Sequence, residues 1–301
     1  MNNGIHFISG LPRSGSTLLS AILRQNPFIH AGMSSPVGGL CQRLIAGMGP
    51  QSEFNALIND AQRENVLHAV FDGYYKDIHP QKLVIDTNRL WCSKMATLAQ
   101  LFPEARVLVC VRELLWIMDS FERILGKNPL VASKMFRKQA GATVFTRLAS
   151  LGSGQGTVGF AWNAVQEAFY GEFSDRLVLI DYEALTRQPQ RTMETIYEEL
   201  GLPSFTHDFD NVTYGEGDEF DQQLGVAGLH TVGRKVRYVE RPSILPPELI
   251  ERFTGRAFWR RPAANRRKVK IILPAGDGAR RPQGPGFRMQ QGEGRRPQAG
   301  V

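Results

Sequence analysis

IHFISGLPRSGSTLLSAILRQN, from Ile5 to Asn26, changes physical character twice within 22 residues. An apolar run passes into Gly10-Leu11-Pro12-Arg13-Ser14-Gly15-Ser16-Thr17, and apolar residues then recur at Leu18, Leu19, Ile22 and Leu23, the spacing of one helix face. Asn26-Pro27 marks the end of that helix. Strand, glycine-containing turn and helix in that order make an anion site: small residues let the backbone wrap the anion, and the unpaired amides of the first helical turn point at its charge. Gly10, Gly15 and Thr17 keep the P-loop spacing G-x-x-x-x-G-x-T. In P-loops that use nucleoside triphosphates a Lys follows the second glycine and reaches the β- and γ-phosphates. Here that position is Ser16, and the cation stands earlier, at Arg13. A strand-turn-helix that binds nothing is the competing reading of the same residues.

The 301 residues, 42% of them hydrophobic, suffice for one large α/β domain. No apolar run approaches the length of a membrane span, and Met1 to Gly4 shows no charged-then-apolar leader. Three widely separated cysteines, Cys41, Cys92 and Cys110, imply neither a disulfide framework nor a zinc site, and the expected compartment is a reducing cytoplasm. The six histidines form no metal-ligand pair. Of the net charge of +7, residues 252–301 carry +11, from 13 Lys or Arg against Asp277 and Glu293, which leaves −4 for the rest. The body is mildly acidic, so no nucleic-acid binding is expected of it.

Further strands are expected at Lys82–Asp86, Arg106–Val111 and Leu177–Asp181, the second of them continuously apolar after its first residue, as in a parallel strand buried on both faces. Helices are expected over 53–77, with Phe54, Leu57, Ile58, Val66, Val70 and Phe71 as the buried stripe, then over Ser93–Phe102, after Arg112, over Phe160–Phe173 and Arg187–Gly201, and after Ile244. The alternation implies an α/β, P-loop-type three-layer fold: a central, mostly parallel sheet of about five strands with helices on both faces. Ligands in such folds sit beyond the carboxyl ends of the strands, an edge that collects Arg13, Asp86, Arg89, Arg112 and Asp181. The polar stretch Phe28–Met48 is placed to fold back over a bound anion. Gly126–Gly159 reads as a helical insertion or lid within a domain spanning 1–273, with glycine-rich 152–159 as a flexible hinge. Leu229–Arg237 is a basic loop. From 274 to 301, seven Gly, four Pro and five Arg among 28 residues predict a disordered tail.

GLPRSGSTLL after the first strand, together with VLVCVRELLWIMDSF at a middle strand, resembles the sulfotransferases that use 3'-phosphoadenosine 5'-phosphosulfate (PAPS). The branch most similar holds the tyrosylprotein sulfotransferases and their bacterial relatives, and the resemblance spans roughly residues 5 to 255. It implies that Pro12, Arg13, Ser14, Gly15, Ser16 and Thr17 hold the 5'-phosphosulfate. It also implies that Arg112 and Ser120, eight residues apart, grip the 3'-phosphate, and that the loop with Arg234 and Lys235 closes over the nucleotide. No metal is expected, in keeping with the missing lysine. The reaction implied is in-line displacement on sulfur by a hydroxyl or amine of a small molecule or peptide, leaving 3'-phosphoadenosine 5'-phosphate (PAP). The family's Glu base matches Ser34 here, which leaves His30 and Asp86 as candidate bases, and Arg89 stands nearest the family's second cation. Stretches 37–75 and 126–159 are expected to wall the acceptor pocket. A magnesium-dependent P-loop kinase and a nucleotide-binding scaffold without a base are the alternatives.

Overall fold

The computed structural model describes residues 4–127, 130, 143–215 and 218–276. The first half runs β1 (Ile5–Gly10), α1 (Ser16–Leu23), β2 (Ile29–Ala31), α2 (Val37–Gly47), α3 (Asp60–Tyr74), β3 (Leu83–Thr87), α4 (Met95–Leu101), β4 (Val107–Val111) and α5 (Leu114–Lys127). The second half adds α6 (Val144–Gly152), α7 (Thr157–Tyr170), β5 (Leu177–Asp181), α8 (Tyr182–Arg187), α9 (Pro189–Glu199), α10 (Asp218–Leu224), α11 (Pro247–Phe253) and β6 (Lys270–Ile272). Six strands form one sheet in the order β2-β3-β1-β4-β5-β6, and every pairing is parallel. The α/β class and the parallel sheet stand as the residue pattern predicts. The two additional edge strands are three residues each, too short for an apolar run to announce them.

The strand alternation explains the layers. Phe7, Val107 and Val109 belong to one core, with Phe71, Trp91, Phe121 and Phe169. Their neighbours Ile8, Leu108 and Cys110 belong to the other, with Leu19, Ile22, Leu185 and Ile196. Successive side chains of a strand point to opposite faces, so each strand feeds both cores. Every residue of β3, β4 and β5 is buried.

The chain turns from one half of the sheet to the other between β1 and β4. There Gly10 has φ 119°, and a Cβ on it would lie 2.2 Å from the Cys110 carbonyl oxygen, so only glycine permits the approach. Leu11 N–H donates to the same carbonyl at 2.9 Å, and the Ser14 hydroxyl reaches it at 2.8 Å.

Several expectations are corrected. The 53–77 helix divides into a 3-10 turn at Glu53–Leu57 and α3, because Asn59 and Gln62 form a reciprocal cap that starts α3 afresh. Phe54 and Leu57 are therefore 60% and 78% exposed, while Leu67 and Phe71 are buried. The glycines of 152–159 serve a close-packed elbow rather than a hinge: a Cβ on Gly156 or Gly159 would meet a carbonyl oxygen at 2.1 or 2.0 Å. Residues 128, 129 and 131–142 of the expected insertion, and 277–301 of the expected tail, lie outside the described residues.

Asp86 and Asp181 close the carboxyl ends of β3 and β5 as structural carboxylates. Asp86 accepts from Ser35 Oγ, Tyr75 Oη and Trp91 Nε1, each at 2.6 Å. Asp181 accepts from Arg260 Nε and Nη2 at 2.8 Å each, from Trp259 Nε1 at 3.0 Å and from the Glu183 amide at 2.9 Å.

Asp181→Ala removes the buried carboxylate that Arg260 and Trp259 share, leaving Arg260 paired with Glu183 at 2.9 Å, and a loss of roughly 3–5 kcal/mol is expected, read by urea denaturation. His6 adds an acid-sensitive element. Burial lowers its pKa from 6.5 to about 4, and its Nδ1 accepts the Arg106 amide at 3.0 Å. Between those values the unfolded chain binds a proton that the folded chain does not, so stability falls as pH drops from 6.5 toward about 4. His6→Phe is expected to flatten that part of the denaturation-midpoint profile.

Candidate active site

Beyond the carboxyl ends of β1, β4 and β5 lies a cavity of about 370 Å³ whose lining includes Pro12, Arg13, Gly15, Ser16, Thr17, Arg89, Arg112, Tyr182, His230, Lys235 and Arg237. This is where the sheet order reverses, the position at which parallel α/β folds bind ligands. The turn between β1 and α1 is held in unusual backbone: Gly10 and Gly15 have φ 119° and 96°, and Arg13, a non-glycine residue, has φ 59°. Such conformations cost about 1–3 kcal/mol each for a residue with a Cβ and persist where the surroundings impose them. Gly15 starts α1 without any side-chain cap, which leaves the first-turn amides facing the cavity to be satisfied by something else.

Arg13 Nε donates to Ser120 Oγ at 3.0 Å, and its Nη1 donates to the Leu229 carbonyl. Arg112 Nη1 donates to the Arg13 carbonyl at 3.2 Å, while its guanidinium lies 4.0 Å from the centre of the Tyr182 ring. Ser120 is thus paired with Arg13 rather than with Arg112, although both arginines share the cavity. Among the described residues, no carboxylate lies within ion-pair distance of Arg13, Arg89 or Arg112. Enclosure by protein lowers the pKa of Arg13 to about 10, with the nearby charge of Arg112 adding to it. Enclosure likewise lowers Arg89 and Arg112. Arg89 keeps exposed surface and lines the cavity. Gathered cations that repel one another and lack carboxylates are stabilised by a polyanion.

The remaining candidates separate clearly. Ser14 is buried and directs its hydroxyl at the carbonyls of Leu11 and Cys110, so its side chain fastens the turn instead of lining the cavity. Lys235 lines the cavity and pairs with Asp210 at 2.7 Å, whereas Arg234 points at Asn211 Oδ1 at 3.0 Å. His30 lies in β2 opposite Val84, its ring 5.7 Å from that of Tyr75, and Ser34 is exposed. Neither lines this cavity, nor does Asp86, whose oxygens are engaged as described and whose pKa burial raises. Segments 28–48 and 37–75 also contribute nothing to its lining; they build the β2 edge instead, because Ser35 is drawn to Asp86 and Thr87. Four residues escaped the sequence: Tyr182, Arg237, His230 and Asp221, the last paired with His230 at 2.5 Å. Tyr182 directly follows the strand-end Asp181, and His230 and Arg237 stand in the basic loop, so position relative to a strand end was the available signal.

These features define a parallel α/β protein with a cation-lined cavity at the carboxyl edge of its sheet. The sequence model of the Sulfotransferase family matches residues 6–207, and the chain belongs to that family, whose members transfer sulfuryl groups. It is 23% identical over 280 residues to protein-tyrosine sulfotransferase 1 of Danio rerio, covering 89% of this chain and 69% of that protein. The sulfotransferase domain from the curacin biosynthetic pathway has a similar fold, with a TM-score of 0.51 at 17% identity over 84% of this chain and 96% of that one. The sulfotransferase domain of the Synechococcus PCC 7002 olefin synthase matches with a TM-score of 0.44 at 21% identity, covering 83% and 94% of the two chains. No helix among the described residues is long and apolar enough to cross a membrane.

The cation cluster predicts a trade between stability and binding. Arg112→Met is expected to raise the melting temperature of the ligand-free protein by about 2–4 °C, the equivalent of ~1 kcal/mol in a domain this large. The same substitution is expected to shrink the thermal stabilisation that added pyrophosphate confers on the wild type. Differential scanning fluorimetry reads both effects.

Proposed function

We propose that the protein is an enzyme that transfers a sulfuryl group from PAPS to a hydroxyl or amine acceptor by in-line displacement, with PAP as the second product. The observation that carries this reading is the set of guanidiniums of Arg13, Arg89 and Arg112, which share one cavity without carboxylate partners beside an uncapped helix start. The donor, when bound, supplies an activated sulfuryl group whose leaving group is a phosphate. A site of about 370 Å³ falls within the roughly 300–1,000 Å³ usual for ligands of such size.

In this reading the backbone amides from Arg13 to Thr17 and the Arg13 guanidinium hold the 5' end and offset the charge that develops on the leaving oxygen. Arg112 holds the 3'-phosphate over the Tyr182 face, with Ser120 behind Arg13 fixing where that cation points. Arg89 serves as the second cation toward the sulfuryl oxygens. Lys235 and Arg237 approach from the loop, which Arg234 steadies through Asn211. The protein's part is then positioning and charge stabilisation. No metal enters this reading, since Ser16 stands where a triphosphate P-loop has its Lys and the cation stands earlier, at Arg13. A reducing cytoplasm also belongs to it, supported by three free, buried cysteines. The acceptor class is a small molecule or peptide bearing a hydroxyl, and the similarity to a protein-tyrosine sulfotransferase makes phenols the first to try.

Calorimetry with PAP is the test. Binding without metal is expected, unchanged by magnesium, and weaker by roughly 10–100-fold in Arg112→Ala, the loss of a charged hydrogen-bonding partner. Magnesium-dependent binding of ATP in preference to PAP would instead support the kinase.

A further inference from the structure

Among the described residues lining the cavity, one group is suited to accept a proton near neutral pH, and it lies far in sequence from His30 and Asp86. His230 lines the cavity together with Arg13, Thr17 and Arg89. Its side chain is 12% exposed, and its Nδ1 lies 2.5 Å from Oδ1 of Asp221, whose own side chain is 1% exposed. The other oxygen, Oδ2, accepts the His230 backbone N–H at 2.7 Å. The carboxylate therefore grips the residue at backbone and ring at once, which fixes both the loop position and the ring orientation. It also places the proton on Nδ1 and leaves the lone pair on Nε2, which has no hydrogen-bond partner among the described residues. The neighbouring Leu229 carbonyl is bound by Arg13, so the loop that carries His230 is tied to the turn that carries the cation.

We propose that His230, oriented by Asp221, is the general base that takes the proton from the acceptor hydroxyl as it attacks sulfur. The inference rests on the sulfuryl-transfer reading above. In the step, the acceptor O–H bond breaks and its proton goes to Nε2 while the O–S bond forms. The bond between sulfur and the bridging oxygen breaks, and its electron pair leaves on the 5'-phosphate of PAP. Asp221 then faces an imidazolium and stabilises it, as a buried carboxylate does in hydrolytic triads. Among the other titratable side chains lining the cavity, Arg13, Arg89, Arg112, Lys235 and Arg237 are cations and Tyr182 is a phenol, so none competes as a base near pH 7. Burial, with Arg13 and Arg89, lowers the basicity of His230 against the opposing pull of Asp221. The ring is accordingly neutral, and ready to accept, at pH 7.

The experiment uses the full chain with sulfur-labelled PAPS and follows PAP release with water and with phenol as acceptors, from acid to mildly alkaline pH, alongside PAP calorimetry. His230→Gln is expected to keep PAP affinity within about tenfold while turnover falls ~100–10,000-fold. The acid limb of the kcat profile is expected to vanish in that variant, and free imidazole to restore part of the rate in His230→Gly. Asp221→Asn, which preserves shape but forces the other tautomer, is expected to lower kcat with little change in KM. Wild-type turnover and an intact acid limb in His230→Gln would overturn the assignment while leaving the donor reading in place. A wild type that binds PAP yet never turns over PAPS above the uncatalysed rate would also overturn it. Failure of the wild type to bind PAP would remove the donor reading itself, and the inference with it.

Discussion

The seam between β1 and β4 is the constraint on which the rest depends. The Cys110 carbonyl receives the Leu11 amide and lies within reach of the Ser14 hydroxyl, and a bare α-carbon at Gly10 lets the strands close that far. Held there, the turn keeps Arg13 at positive φ, and its carbonyl accepts from Arg112 two residues beyond Cys110. One set of backbone contacts thus brings together two cations that are 99 residues apart. The uncapped start of α1 follows from the same turn.

Charge is distributed by a simple division. The buried aspartates at Asp86, Asp119 and Asp181 are surrounded by donors: Asp119 meets Arg123 at 2.8 Å, Arg241 at 3.0 Å and the Ile244 amide at 2.9 Å. These carboxylates tie loops and helices to strand ends, and removing one partner leaves a charge in a poor solvent. Among the described residues the guanidiniums of Arg13, Arg89 and Arg112 have no such counterparts, and the charge of Arg112 adds to the cost of enclosing Arg13. Arg13 and Arg112 instead meet neutral oxygens, the Ser120 hydroxyl and the carbonyls of Leu229 and Arg13. Asp221 is the exception that clarifies the pattern, since its partner is a histidine at the cavity wall.

The strands were legible where physics made them redundant. Strands β3, β4 and β5 are buried on both faces, so β4 reads as an unbroken apolar run and β3 and β5 as apolar runs that stop at Asp86 and Asp181 near their carboxyl ends. The three-residue edges β2 and β6 carry no such redundancy; their pairing comes from neighbours already in place. The stripe over 53–77 misled at Phe54 and Leu57 because periodicity alone does not show that Asn59 restarts the helix. Arg13, Arg112 and the turn glycines were legible because local sequence places them at strand ends. Asp86 looked equally well placed, and only the three donors around it mark it as an anchor.

What the sequence by itself determined is the strand-turn-helix of Ile5–Asn26, the parallel α/β class and the strand-end arginines, since each follows from short-range spacing and burial periodicity. Tertiary structure alone decided which of those residues meet. It turned Ser14 inward, gave Ser120 to Arg13, withdrew His30 and Asp86 from the cavity, and brought Asp221 and His230 to its wall. The physical reason is that side-chain partnership is set by how whole elements pack against one another, and no local pattern encodes which of several suitable groups will face the same space.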